Sequence, residues 1–210
     1  LTSVNSLVFG NNGNDIQFGG TVSNIDLTAV SSAGTVTFEE VARIFEALTA
    51  TGQTGVTVTA GLTTDTGNLD LTANTGNVNL GNVALTSLQG DMTLTATTGG
   101  VVNAGGALTV GADRTLSVIQ ANSLTIGAGG VSNIQNATAV NLVLNSSGTV
   151  TLGTVDLDGL TVTASALNLN GNIDSDSALN LANAGTITLG AAVQIVARND
   201  DVGGTPPQDI

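Results

Sequence analysis

The chain has no cysteine, histidine, tryptophan or tyrosine, and its basic residues are three arginines, Arg43, Arg114 and Arg198. Without cysteine there is neither a disulfide nor thiol chemistry. Without histidine, neither a Ser–His–Asp nor a Cys–His catalytic group can form. Zinc and similar metals lose their usual nitrogen and sulfur donors for the same reason. These absences favour a non-enzymatic protein that needs no cofactor.

Charge is also scarce, since charged residues make up 9% of the chain and the formal net charge is −13. So few cations cannot neutralise phosphates, which argues against nucleic acid as a partner. No apolar run approaches the roughly 18 residues that a membrane helix needs, so we expect no membrane insertion. The chain begins at Leu1, as either a mature form without its signal peptide or a fragment would. The acidic balance suits a secreted protein.

Glycine, by contrast, is abundant at 28 residues, and it punctuates a phrase that keeps returning. The phrase is an apolar/polar alternation, a turn containing glycine and a second alternation. It starts at Ile25, Leu69, Val140 and Leu179. The glycines that open the second alternation recur at 34, 55 and 76, which is every 21 residues. Short strands at a fixed period predict a solenoid.

The predicted fold is therefore all-β, a right-handed parallel β-helix of about ten coils near 20 residues each. We assign residues 1–197 to this single domain. The segment 38–48 departs from the alternation, because its apolar positions 38, 41, 44, 45 and 48 have helical spacing. It predicts a short helix that covers an open edge of the rod or docks onto a neighbouring subunit. Residues 198–210 contain Gly-Gly and Pro-Pro and are predicted to be a linker or an assembly tail.

A solenoid end that is not capped exposes unpaired backbone groups, which can template another copy. Head-to-tail stacking gives a filament when its rotation does not close. The candidate assembly residues lie near the two ends and in the predicted helix. They are Leu1, Val4, Leu7, Phe9, Phe38, Phe45, Val193, Ile195, Pro206, Pro207 and Ile210.

Two residue patterns suggest further kinds of site. Calcium is the one metal that the residue types allow, with Asp15, Asp174 and Asp176 as candidate ligands beside the pair Asp156 and Asp158. A flat face of Thr-X-Thr pairs could instead bind carbohydrate or ice. The pairs are Thr35/Thr37, Thr57/Thr59, Thr93/Thr95, Thr149/Thr151, Thr161/Thr163 and Thr186/Thr188. Turn-forming aspartates and common strand threonines are the simpler interpretation of both patterns.

The phrases Gly-Thr-Val-Thr-Leu-Gly at 148–153, Leu-Asn-Leu at 179–181 and Leu-Thr-Ala at 71–73 carry a resemblance. They resemble the repeats of filamentous-haemagglutinin-like and autotransporter-passenger adhesins, which are surface proteins of bacteria. The resemblance covers roughly residues 20–200, and it implies secretion, an extended shape and adhesive or matrix-forming work.

We therefore expect a secreted structural or adhesive rod that self-associates end to end into an extracellular fibre, with cell-surface or matrix glycans as further partners. The alternatives are a stalk segment of a giant surface adhesin and a carbohydrate- or ice-binding solenoid.

Overall fold

The computed structural model describes residues 6–11, 16–18, 25–39, 43–111, 113–120, 122, 124–126, 134–135, 140–190 and 192–197. Every regular element in these residues is a β-strand. In chain order the strands are β1 (Ser6–Asn11), β2 (Ile16–Phe18), β3 (Asp26–Ser31), β4 (Thr35–Phe38), β5 (Arg43–Phe45), β6 (Ala47–Gly52), β7 (Gly55–Val58), β8 (Leu62–Thr64), β9 (Leu69–Ala73), β10 (Asn77–Gly81), β11 (Leu85–Ser87), β12 (Met92–Ala96), β13 (Val102–Ala104), β14 (Leu108–Val110), β15 (Arg114–Gln120), β16 (Leu124–Ile126), β17 (Ile134–Gln135), β18 (Val140–Ser146), β19 (Thr149–Leu152), β20 (Val155–Leu157), β21 (Gly159–Leu169), β22 (Ile173–Ser175), β23 (Leu179–Leu189) and β24 (Ile195–Ala197).

These strands wind into a parallel β-solenoid, which confirms the predicted fold class. The first sheet stacks β1, β3, β6, β9, β12, β15, β18, β21 and β23, and it continues from β21 through β19 to β16. The second sheet runs β2-β4-β7-β10-β13, the third β5-β8-β11-β14-β17 and the fourth β20-β22-β24. About seven full turns lie between the first strands, β1 and β2, and the last, β23 and β24. The expected ten coils are therefore too many, because the turns in the middle of the stack are longer than 20 residues: Leu69, Met92, Leu116 and Leu142 hold one register position at intervals of 23, 24 and 26 residues.

Alternation inside each strand builds the core, because every second side chain faces the interior and its neighbours one coil above and below occupy the same register. In the first sheet Leu48, Leu69, Met92 and Leu116 form one such column, and each is fully buried. A single cluster of buried apolar side chains runs through the described coils. The coils therefore stabilise one another rather than folding one by one.

Small and hydroxylated residues occupy the corners between the sides. At the corner before the second sheet, a Cβ atom added to Gly76 would collide with the carbonyl oxygen of Thr54, so only glycine fits there. At a corner of the third sheet the buried Ser87 hydroxyl lies 2.9 Å from the carbonyl oxygen of Gly90 and 3.0 Å from the Thr64 hydroxyl, which donates to it. The Ser87 hydroxyl thus donates to a carbonyl group of its own turn and accepts a hydrogen bond from the preceding coil.

The predicted helix over 38–48 is wrong, because no helix occurs in the described residues and this segment contributes β4, β5 and the start of β6. Residues 40–42 lie outside the described part. Phe38 and Phe45 are fully buried, with their ring centroids 6.4 Å apart in an edge-to-face arrangement. The next coil holds both segments in place through backbone hydrogen bonds. The N–H of Thr59 donates to the carbonyl oxygen of Phe38, and the N–H of Asp65 donates to that of Phe45, each over 2.9 Å. Parallel pairing and burial of both rings therefore outweigh the helical spacing.

Candidate functional site

The last described coil exposes apolar residues whose register partners are buried. Ile187 is 45% exposed and Leu189 is 56% exposed, while their partners Leu167 and Leu169 are both 0% exposed. In the fourth sheet Ile195 is 41% exposed, and its partner Ile173 is 1% exposed. The interior of the solenoid is thus open at this end of the described structure.

The backbone of this coil is open as well. Among the described strands β23 pairs only with β21, and β24 pairs only with β22, so each has one edge without a neighbouring strand. An edge strand with free N–H and C=O groups favours addition of another strand. We name the surface formed by β23 and β24 the open end. It joins free backbone groups to exposed apolar side chains, and that combination can accept a further coil.

The proposed assembly residues fall into three groups. Leu7 and Phe9 lie in β1, in register with the buried Leu27 and Ala29. Phe38 and Phe45 belong to the core, so they cannot form a docking helix. The remaining group is split between the open end and the undescribed part. Val193 packs half-buried against the core and Ile195 lies in the open end, whereas Leu1, Val4, Pro206, Pro207 and Ile210 lie outside the described residues.

A second surface, the outer face of the first sheet, carries two columns of side chains in which threonine is the commonest residue. We name it the threonine face. One column contains Thr28, Thr49, Asp70, Thr93, Ser117, Val143 and Thr161, and the other contains Val30, Thr51, Thr72, Thr95, Ile119, Asn145 and Thr163. Neighbours within a column are about 4.8 Å apart, and the columns are about 6.6 Å apart. The sequence pairs Thr93/Thr95 and Thr161/Thr163 lie here.

The other predicted threonine pairs are divided among different sides of the solenoid. Thr35/Thr37 lies in β4 of the second sheet, where Thr57 follows one coil later. Thr149/Thr151 and Thr186/Thr188 lie in β19 and the second half of β23. The pair Thr49/Thr51, which sequence reasoning missed, belongs to the threonine face. A search for threonines two residues apart at the start of each coil would have found it.

The aspartates are stacked but do not form a metal site. Asp156 and Asp174 are register partners in the fourth sheet. Asp176 lies one coil after Asp158, and its backbone N–H donates to the carbonyl oxygen of Leu157, the residue before Asp158. In the described part of the chain no three potential metal-ligating side chains converge. Asp15 lies outside that part. Calcium binding by Asp15, Asp174 or Asp176 therefore stays a prediction without a described site.

One carboxyl group on the threonine face has a shifted pKa. Partial burial raises the pKa of Asp70, and the nearby charge of Asp91 raises it further, while a hydrogen bond from Thr93 lowers it. The Asp91 carboxylate in turn accepts the backbone N–H of Thr115 over 2.9 Å. Asp91 therefore contributes a hydrogen bond between coils, whereas Asp70 is a carboxyl group that is partly shielded from solvent.

Comparison with known proteins adds no family to this picture. No family model, curated protein or solved structure matches the chain. In the described residues no helix is long and apolar enough to cross a membrane. The geometry of the open end and of the threonine face is thus the basis on which function is argued.

Proposed function

We propose that this chain is a non-enzymatic structural protein, a β-solenoid rod that contributes to an extracellular fibre or adhesin by end-to-end assembly. The observation that carries the proposal is the open end, where Ile187 and Leu189 stand exposed in register with buried leucines. Covering these side chains would remove apolar area from water, which is worth about 25 cal/mol per Å². A further coil would also pair the free backbone edge of β23.

The low charge of the chain supports the same function. Neither β23 nor β24 contains a charged residue, so a second coil can approach them without local repulsion. The net charge of −13 is carried elsewhere and keeps the sides of two rods apart. Growth along the axis is therefore favoured over lateral clumping. A secreted location and contacts with cell-surface or matrix glycans belong to this proposal through the adhesin-like repeat phrases.

The test is self-association of the purified 210-residue chain, followed by light scattering over a concentration series and by negative-stain electron microscopy. We expect rods that lengthen with concentration. Leu189→Asp should abolish the lengthening, because it places a charge among the exposed apolar side chains of the open end. Thr188→Asp is the matched control, since it adds the same charge to the same strand on its opposite face. Short rods of one length at every concentration would refute end-to-end assembly.

The threonine face favours a second candidate function, binding of ice or of a comparably ordered water layer. Nine of its fourteen register positions carry threonine or serine, and Thr51, Thr72 and Thr95 are consecutive members of one column. The four phenylalanines are the only aromatic residues of the chain, so platforms for stacking on sugar rings are scarce, which favours ice over carbohydrate here.

Inhibition of ice recrystallisation tests this second candidate. Thr95→Tyr should abolish inhibition, because its ring would project through the flat grid. Thr109→Tyr is the control, since Thr109 lies on the outer side of the third sheet. Equal inhibition by both variants, or none by the unmodified chain, would contradict an ice-binding function of this face.

A further inference from the structure

We propose that the open end receives the first coil of a second copy of this chain in one register, with Leu179 beside Leu7, Ile187 beside Ile16 and Leu189 beside Phe18 of that copy. The inference rests on the proposed function and specifies its contact. At this junction the register positions of Leu27, Val36 and Phe38 in one copy continue those of Leu160, Leu167 and Leu169 in the other.

The positions of the strands in the two end coils support this register. At the N-terminal end, β1 sets Leu7 in register with Leu27, and β2 sets Ile16 in register with Val36. At the open end, β23 sets Leu179 in register with Leu160 and Ile187 in register with Leu167. Each end coil therefore has one position in register with a buried residue of the first side and one in register with a buried residue of the second side.

The spacing between those two positions also agrees. Leu7 and Ile16 are 9 residues apart (16 − 7), and Leu179 and Ile187 are 8 apart (187 − 179). Inside the stack, neighbouring coils use the same two spacings, because Leu27 precedes Val36 by 9 residues and Leu48 precedes Val56 by 8. Coils of these two spacings stack directly on each other in β3–β4 and β6–β7. A junction between the two end coils therefore needs no change of register.

Strand direction and edge availability agree with a head-to-tail junction. Every pairing along the first sheet is parallel, from β1–β3 to β21–β23. Among the described strands β1 and β2 end their sheets on one side of the stack, and β23 ends it on the other. Joining β23 to β1 of the next copy keeps the parallel ladder. Joining two open ends by a two-fold axis would instead require antiparallel pairing, whereas the pairs between the described strands of this sheet are parallel.

Charge is compatible with the junction too. The three strands that would meet, β1, β2 and β23, contain no aspartate, glutamate, lysine or arginine, and neither does β24 in the same open end. The 13 residues that follow Ala197 fit the open end poorly as an alternative occupant. They include three aspartates and the pair Pro206-Pro207. Proline has no N–H to donate to a ladder, and the segment has no apolar/polar alternation.

Cysteine cross-linking tests the register. Because the chain has no native cysteine, a disulfide can form only between the introduced cysteines. Val8 holds the register position of Thr28, and Asn180 that of Thr161, in the same outer column. At the proposed junction the two positions become neighbours at the strand spacing of about 4.8 Å, which lies within the Cα separation of a disulfide. Val8→Cys and Asn180→Cys proteins, mixed and mildly oxidised, should form a mixed dimer, and the double variant should form covalent oligomers.

Thr161→Cys mixed with Val8→Cys is the control, because Thr161 has a strand on each side and should not cross-link. Gly10→Cys with Asn183→Cys probes the second outer column should the first pair fold poorly. Dimers from Asn180→Cys alone would show that two open ends meet, which overturns the register and leaves self-association standing. Oligomers in light scattering without any cross-link would overturn the register in the same way. Monomers throughout would overturn the proposed function itself.

Discussion

Leu169 and Leu189 occupy the same register position in adjacent coils, yet Leu169 is fully buried and Leu189 is 56% exposed. Their local sequences are alike, since each ends an apolar/polar alternation in an eleven-residue strand. The difference is the presence of a coil on both sides of Leu169. Burial in this molecule is thus a property of stacking between coils, as expected for a solenoid in which each repeat contacts only its neighbours.

Polar interactions differ between the same two regions. In the interior coil the buried Ser175 hydroxyl lies within hydrogen-bond distance of the carbonyls of Asp158 and Ala178, at 3.2 Å and 3.1 Å. In the last coil its register partner is Ala197, which is exposed. The interior corner therefore buries a hydroxyl that has carbonyl partners, whereas the corner at the open end has alanine at the same register position and no hydroxyl to satisfy.

The largest expected effect is the contrast between two leucine truncations. Leu169→Ala should lower the free energy of unfolding by about 2–5 kcal/mol, because it leaves a cavity in the core. Leu189→Ala should lower it by less than about 1 kcal/mol, since much of this side chain is already in water. Urea denaturation of dilute protein measures both values. Equal losses would mean that the last coil is covered as completely as the interior.

The second contrast concerns two glycines. Gly76→Ala would press its new Cβ against the carbonyl oxygen of Thr54, and we expect a loss of about 1–3 kcal/mol. Gly81 has a φ of 54° with nothing within 4 Å of an added Cβ, so Gly81→Asn should lose less than about 1 kcal/mol because asparagine tolerates this conformation. Melting temperatures of the two variants measure the contrast. A larger loss for Gly81→Asn would show that backbone conformation matters more than space between coils.

The fold could be predicted from sequence because the alternation and the spacing of glycines are local signals. Leu71 and Val78 hold apolar positions of this alternation, and both are buried. The helix over 38–48 could not be excluded in this way. Phe38 and Phe45 are seven residues apart. This separation corresponds to about two turns of a helix, and it also connects β4 on the second side of a coil with β5 on the third side. Only pairing with the following coil separates these alternatives.

The open end could not be predicted at the level of single residues. Ile187 and Leu189 have the same pattern as Val150 and Leu152, which are fully buried. Their exposure depends on which coil is last in the described stack, and the local sequence does not indicate which coil that is. The threonine face was only half predictable for a similar reason. Coil lengths vary, so the alignment of Thr51 with Thr72 and Thr95 becomes visible only when the strands are in register.

A smaller contrast compares two serines that contact the same carbonyl oxygen, that of Asp158. Ser175→Ala should lower the free energy of unfolding by about 1–2 kcal/mol, because it removes the hydrogen bond to a buried corner. Ser177→Ala should lower it by less than about 1 kcal/mol, since the Ser177 hydroxyl lies 2.9 Å from the same oxygen but is only half-buried, so water can replace it. Denaturant midpoints with unchanged slopes would measure both. A larger loss for Ser177→Ala would contradict the importance of burial at this corner.

The smallest expected effect is the pH dependence of stability contributed by Asp70, which lies on the threonine face with a coil on each side. Burial raises the pKa of Asp70 in the folded chain above its ordinary value of 3.8, so between these two pKa values the folded state binds more protons than the unfolded state. Stability therefore falls as pH rises through that window, and the loss persists at neutral pH. Asp70→Asn should then raise the melting temperature at neutral pH and flatten its dependence on pH. Melting curves between about pH 3 and pH 8 measure this. Asp65→Asn removes the same charge at an exposed position, and an equal gain from it would assign the effect to net charge rather than to the partial burial of Asp70.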